Sequence, residues 1–342
     1  MKRSATLVFT CALLVGSIAA LRPGQSGLLE RAKQSFSPLP LTFETPDNPL
    51  TPAKIALGKM LFYDPRVSAD GATSCFKCHW TNLYFTDAMK TSVGAGCQHG
   101  PRNAPTVLNA AGEISQHWAG NRASVEEQAK RALVIPGSYG HASYAEAEKR
   151  LNAIPGYARL FQAAFPGDAT PVTADHFAQA VGAFERTLAT PSRFDEYLRG
   201  GHDALTPAEA GGLKAFLDAG CAACHDGAPV GGRMYRKFGI TQPYWEVTKS
   251  EKPDDGRFAV THDPADRYVF KVPPLRNVQM TGPYFHDGSI ARLDGAVAIM
   301  ARLQLGKSLT DVQTASIVEF LNALTGTIDP EALVVPLVPS GR

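Results

Sequence analysis

Two pentapeptides in this chain set thiols and an imidazole at a fixed spacing: Cys75-Phe76-Lys77-Cys78-His79 and Cys221-Ala222-Ala223-Cys224-His225. Two thiols three positions apart can bond the two vinyl groups of one porphyrin, and the adjoining histidine then ligates the iron from below. That is the pattern of covalent c-type haem attachment. What such a haem does is set by whatever lies on its open face. The rival chemistry is zinc. Zinc ribbons place their cysteine pairs about 15–20 residues apart and need no histidine directly behind each pair, whereas these two histidines are 146 positions apart. A redox Cys-x-x-Cys accompanies a βαβ pattern, which this sequence lacks. The expectation is two covalently bound haem c groups, one on Cys75, Cys78 and His79 and one on Cys221, Cys224 and His225.

The chain has six cysteines. Cys11 lies in the N-terminal apolar run and four are claimed by haem, so Cys97 has no intrachain disulfide partner. It reads as a small buried hydrophobe. Seven further histidines (His99, His117, His141, His176, His202, His262 and His286) each read singly as an ordinary surface or core residue. Met300, on an amphipathic segment, and Met280, in a loop, each offer a sixth ligand for iron.

Residues 1–20 read as a secretory signal. Lys2 and Arg3 form a basic start, Ala5 to Ile18 an apolar run, and Ser17-Ile18-Ala19 a small-residue cleavage site. The run is short of the ~20 residues that a membrane span needs; an uncleaved anchor is the alternative. Without Lys2 and Arg3, the 34 Lys+Arg balance the 32 Asp+Glu. With no basic stripe, nucleic acid is not an expected partner. Periplasmic export suits covalent haem, which is attached outside the cytoplasm in bacteria.

The elements that must carry these motifs are helical. Residues 21–50 are rich in Pro and Ser and read as a leader segment. Thr51-Pro52 opens a helix that Asp64-Pro65 stops. Ser124 with Glu127, and Ser143 with Glu146, form capping boxes. Thr173 opens a helix whose Phe177, Val181, Phe184 and Leu188 share one face, and Thr206-Pro207 opens another that leads into the second haem motif. Residues 227–289 are mostly loop. A last helix runs from Thr310 to Gly326. The fold expectation is all-α: two cytochrome c-like haem domains with long loops, over residues 51–192 and 193–326. A tail over 327–342 is expected to pack back on the first domain.

Longer stretches then resemble a known family. They are Leu57-Gly58-Lys59-Met60-Leu61-Phe62-Tyr63-Asp64-Pro65-Arg66, Asn103-Ala104-Pro105-Thr106-Val107-Leu108-Asn109, Lys252-Pro253-Asp254-Asp255-Gly256-Arg257, Phe270-Lys271-Val272-Pro273-Pro274-Leu275-Arg276-Asn277 and Pro283-Tyr284-Phe285-His286-Asp287-Gly288-Ser289. The chain resembles the bacterial diheme cytochrome c peroxidases, a group that also includes the diheme enzyme maturing tryptophan tryptophylquinone. The resemblance implies that His79 serves a peroxide-reacting haem and His225 an electron-transfer haem completed by Met300. The quinone-maturing enzyme has tyrosine at that last position. It further implies that Trp118 bridges the haems, that Gln128 is a distal group, and that Asn103, Thr281 and Pro283 hold one calcium ion. A small cytochrome c or a cupredoxin would donate electrons to reduce hydrogen peroxide, in a protein that is usually a homodimer.

Two positions depart from the family pattern. Ala95, in Ser92-Val93-Gly94-Ala95, stands where many members carry a histidine that blocks the first iron at rest, so an open site is expected, with Cys97 or His99 as substitutes. Ser138 stands where the family has its acid–base glutamate. A positioned acid–base group contributes about 10²–10⁴-fold, or roughly 3–5 kcal/mol, so weak peroxidase activity is expected unless His141 or another group enters the pocket. The alternatives are an oxidase acting on an organic or protein substrate, and a non-enzymatic electron carrier or redox sensor.

Overall fold

The computed structural model describes residues 23–340; the expected signal segment, with Cys11, lies outside them. The protein is mostly helical. The first departure from expectation is in the leader, where α1 spans Pro23–Ser35. Its Leu29 and Ala32, with Phe36 just beyond, are buried against Phe194, Phe216 and Phe320, the Phe36 and Phe194 rings 5.4 Å apart edge to face. A three-turn helix with so few apolar positions gains its stability from tertiary packing and not from propensity, so its sequence reads as a linker.

The helices α2 (Pro52–Tyr63), α3 (Val125–Ala132), α4 (Tyr144–Ala153), α5 (Tyr157–Ala164) and α6 (Ala174–Glu185) share one buried cluster. Thr51 Oγ1 accepts from the Lys54 amide at 3.2 Å and starts α2; Asp64 ends it. Ser124 and Ser143 cap α3 and α4 as expected. The return bonds differ, since Glu127 and Glu146 accept from the amides of Ala123 and Ala142, one residue before each cap. Gly58 lets α2 and α6 meet: a Cβ there would lie 1.8 Å from the Ala180 carbonyl oxygen.

A second cluster gathers α1, α7 (Arg193–Leu198), α8 (Pro207–Ala219) and α12 (Asp311–Ala323). Between α8 and α12 lie α9 (Tyr244–Thr248), α10 (Phe258–Thr261), α11 (Leu293–Leu305) and two three-residue strands. These strands, β1 (Tyr235–Lys237) and β2 (Val269–Lys271), pair antiparallel with Tyr235 opposite Lys271. Sequence reading gave this stretch as loop because three-residue strands leave no alternation to detect. Nor does α12 reach Gly326. It stops at Ala323, because the Gly326 amide instead donates to Asn277 Oδ1 at 2.9 Å.

Where the two clusters meet, Asn109 and Asn277 both donate to Thr190 Oγ1, at 2.8 and 2.9 Å. Arg276 grips Asp195 with two nitrogens at 2.7 and 2.8 Å, both side chains 0% exposed. The chain then doubles back through α13 (Pro330–Leu333). Tyr63 OH donates to the Ala332 carbonyl at 2.9 Å, and Arg66 to that of Pro339 at 3.0 Å.

Candidate haem sites

Both Cys-x-x-Cys-His motifs fold into the same 3-10 turn. The amides of Cys78 and His79 donate to the Cys75 carbonyl at 3.1 Å, and those of Cys224 and His225 to the Cys221 carbonyl at 3.2 and 3.1 Å. All five described cysteines are free thiols. His79 Nδ1 lies 3.0 Å from the Phe85 carbonyl. As donor there it leaves Nε2 bare for a metal, the usual outer bond of a ligating histidine. His225 Nδ1 faces the carbonyls of Val230 and Pro273 without making a hydrogen bond to either. Burial pushes both imidazoles down, His225 to about 4, so both are neutral at pH 7, the form that binds iron. Free paired thiols beside a neutral imidazole fit covalent haem at both motifs.

Beside the second motif opens a cavity of about 220 Å³. Cys221, Cys224 and His225 line it together with Met300, which α11 carries. Of the two candidate methionines, the structure brings Met300 into this cavity, while Met280 is 44% exposed. Trp118, Asn103, Thr281 and Pro283 line the same space. Trp118 Nε1 donates to the Asn103 carbonyl at 3.0 Å, and Asn103 Nδ2 donates to the Met89 carbonyl at 2.8 Å. That second bond uses the amide nitrogen and leaves Asn103 Oδ1 available to a cation. Lys271 enters the cavity wall in a buried ion pair with Glu113 and donates to the Ser115 carbonyl at 2.7 Å.

Around the first motif, the structure brings the two departing positions to one place. The loop carrying Ala95 closes on itself through Gly94 N to Gln98 O at 2.9 Å and Gly100 N to Ser92 O at 2.8 Å. It lies against the turn carrying Ser138 so tightly that a Cβ on Gly94 would sit 1.6 Å from the Gly137 carbonyl oxygen. Lys77 fastens the loop to the haem motif by donating to the Gly94 carbonyl at 3.0 Å. Gln128 is half-buried on α3, directly upstream of the Ser138 turn.

One expectation changes here, and two alternatives lose support. Cys97 is exposed, at φ +59°, and is not a core residue. His99 is exposed too, because the loop turns both residues outward while burying Ala95. His141 is buried, but its Nε2 is engaged with the Val67 carbonyl at 2.8 Å, so it holds a turn. His117 was passed over in sequence as one histidine among seven. It adopts a left-handed φ of +66°, and its Nδ1 lies 2.8 Å from Asn121 Oδ1. Burial pushes it down to about 4, with His79 within Coulombic reach. The only sequence signal was an Asn four residues on, beside Trp118.

A profile of the di-haem cytochrome c peroxidases matches residues 52–203. The cytochrome c551 peroxidase of Pseudomonas aeruginosa is 42% identical over 316 residues, covering 92% of this chain and 90% of that protein. The chain belongs to the di-haem cytochrome c peroxidase family. It is accordingly an oxidoreductase of a family that carries two haems. The methylamine utilization protein MauG of Methylorubrum extorquens is 35% identical, covering 78% of this chain and 76% of its own. Among solved structures, a MauG-like protein associated with microbial copper homeostasis superposes with a TM-score of 0.76 at 30% identity, covering 87% of this chain and 97% of that one.

Proposed function

We propose that this di-haem cytochrome c peroxidase works in the periplasm, reducing hydrogen peroxide to water with electrons from a small cytochrome c or a cupredoxin. The observation that carries this reading is the shared cavity of His225, Met300, Trp118 and Asn103, which has the parts of an electron-transfer haem site and of its exit. Bound haem supplies the redox-active iron at both motifs. His225 and Met300, which line the same cavity, would hold the second haem's iron, and a His/Met pair raises the reduction potential, which suits acceptance of electrons from a donor protein. Trp118, anchored on Asn103, is the bridge toward the first domain. Asn103, Thr281 and Pro283 offer the oxygen-only ligation that suits calcium, where it would pin the two cytochrome c-like units (51–192 and 193–326) in register.

At the first site His79, oriented through the Phe85 carbonyl, would hold the iron, with Ala95, Gln128 and Ser138 as the groups that would meet peroxide; alanine at position 95 would supply no blocking ligand. No described helix is long and apolar enough to cross a membrane; export rests on the N-terminal segment 1–20 and on the chemistry of haem attachment. The relationship to MauG favours a second reading, oxidation of an organic or protein substrate, but methionine at position 300 speaks for electron supply by a donor. The test is steady-state consumption of hydrogen peroxide by the two-haem protein with a reduced cytochrome c or cupredoxin. Donor oxidation no faster than without the protein would refute the proposal.

A further inference from the structure

Ahead of α3 the chain runs against the strand pair β1–β2 as a strap, residues 113–118, and Lys271 holds this strap at three points. The Lys271 amide donates to the Trp118 carbonyl at 2.8 Å. Its ammonium donates to the Ser115 carbonyl at 2.7 Å and pairs with the Glu113 carboxylate. Two more bonds brace the contact: Ile114 N donates to Gly232 O at 2.9 Å, and the Ser115 and Tyr235 hydroxyls lie 2.7 Å apart. Tyr235 stands opposite Lys271 in the strand register, so one cross-strand pair grips Ser115 by both its carbonyl and its hydroxyl. The Glu113 and Lys271 side chains are 4% and 6% exposed. A buried ion pair is weak evidence for stability, and its best-attested use is to fix register. Both side chains line the cavity of His225 and Met300, as Trp118 does. Trp118 also packs with Met300 against the cluster of Phe238, Tyr244, Phe270 and Leu303, and its Nε1 is anchored on the Asn103 carbonyl at 3.0 Å. The indole is thus fixed at its ring by Asn103, which precedes the second haem motif in the chain, and at its main chain by Lys271, which follows it.

We propose that Lys271, with Glu113 as its counter-charge, is a positioning residue of the electron bridge: it sets where Trp118 stands, and so the rate at which an electron that enters at the second haem reaches the first. This rests on the peroxidase reading above and on Trp118 as its bridge. In that transfer one electron passes from the second iron to the first, and no bond forms or breaks. Lys271 takes no electron itself. It acts through the indole, because electron transfer slows steeply as the gap to be crossed widens.

The test mixes the fully reduced two-haem protein with hydrogen peroxide, at concentrations where the rate no longer depends on it, and follows oxidation of the second haem by absorbance. Lys271→Met combined with Glu113→Gln removes both charges, so neither is left stranded in the wall. This pair variant should slow the oxidation by about tenfold, within the ~10²-fold that a misplacement of ~1 Å costs. Trp118→Phe should slow it at least as much, and adding the pair substitution to Trp118→Phe should slow it no further, as for residues that act through one another. Two readouts do not depend on turnover. Hydrogen exchange of the 113–118 amides should quicken in the pair variant, and the potentials of both haems should stay in place, because no net charge is removed. Tyr235→Phe, which takes only the hydroxyl from Ser115, keeps the test open if the pair variant loads haem poorly; it should quicken exchange and slow oxidation in the same sense. A pair variant as fast as the wild type while Trp118→Phe is slow would overturn the proposal and leave the bridge standing. So would a slowing that adds to that of Trp118→Phe, or one that a shift in potential accounts for. Trp118→Phe at the wild-type rate would refute the bridge, and the clamp's role with it. A wild type inert to peroxide would sink the peroxidase reading, and unchanged exchange in the pair variant would overturn the clamp whichever way the rates fall.

Discussion

At the scale of single residues, the two haem-motif histidines are held differently: His79 Nδ1 lies 3.0 Å from the single carbonyl of Phe85, whereas His225 faces two, those of Val230 and Pro273, at looser geometry. Met300→His should lower the potential of the second haem, because replacing thioether by imidazole removes the feature that raises it. A spectroelectrochemical titration that left the potential unmoved would remove Met300 from the ligand set. Glu185 gives a pH prediction. Burial raises its carboxyl from 4.5 to about 8, with Glu126 adding to the rise and Arg186 opposing it. Between those values the folded protein holds a proton that the unfolded chain has lost, so stability falls as pH rises through that window. Glu185→Gln removes this slope, and its Tm should gain on the wild type at pH 8 but not at pH 4. The two haem motifs were legible in the sequence because type and spacing define them. The strained backbone of His117 and its bond to Asn121 were not, since they come from the fold.

At the scale of elements, the capping residues announced α2, α3, α4, α6, α8 and α12, since each cap is a local bond between near neighbours. What escaped was whatever draws its stability from elsewhere: α1, which leans on Phe194 and Phe320, and the strand pair that places Lys271. Two predictions belong here. Gly94→Ala forces the Ala95 loop off the Ser138 turn, where 1.6 Å leaves no room. Overpacking of this kind costs about 1–3 kcal/mol, and the first haem's spectrum should change with it while the second's does not. Asp195→Asn strands the Arg276 guanidinium, fully buried, and loosens Leu39, whose amide donates to Asp195 at 2.7 Å. Loss of one partner of a buried pair costs about 3–5 kcal/mol. A denaturant midpoint that hardly moved would show that the pair contributes little to the junction.

At the scale of the whole molecule, one haem motif packs against each of the two large buried clusters, Cys75 on the first and Cys221 on the second, and Arg276, at their junction, also lines the second cavity. The two copies of the motif were visible in the sequence. The crossing of α1 into the second cluster, and the return of α13 to the first, depend on distant partners and could not be read locally. The central claim is that electrons enter at the second haem and pass to the first, where peroxide is reduced, so that one peroxide takes one electron from each haem of the fully reduced protein. Its most direct test is to mix the fully reduced protein, free of oxygen and donor, with one equivalent of hydrogen peroxide and follow both haems by absorbance. The account predicts that both become oxidised together and that the peroxide is consumed. Haems that stay reduced while the peroxide remains would contradict it.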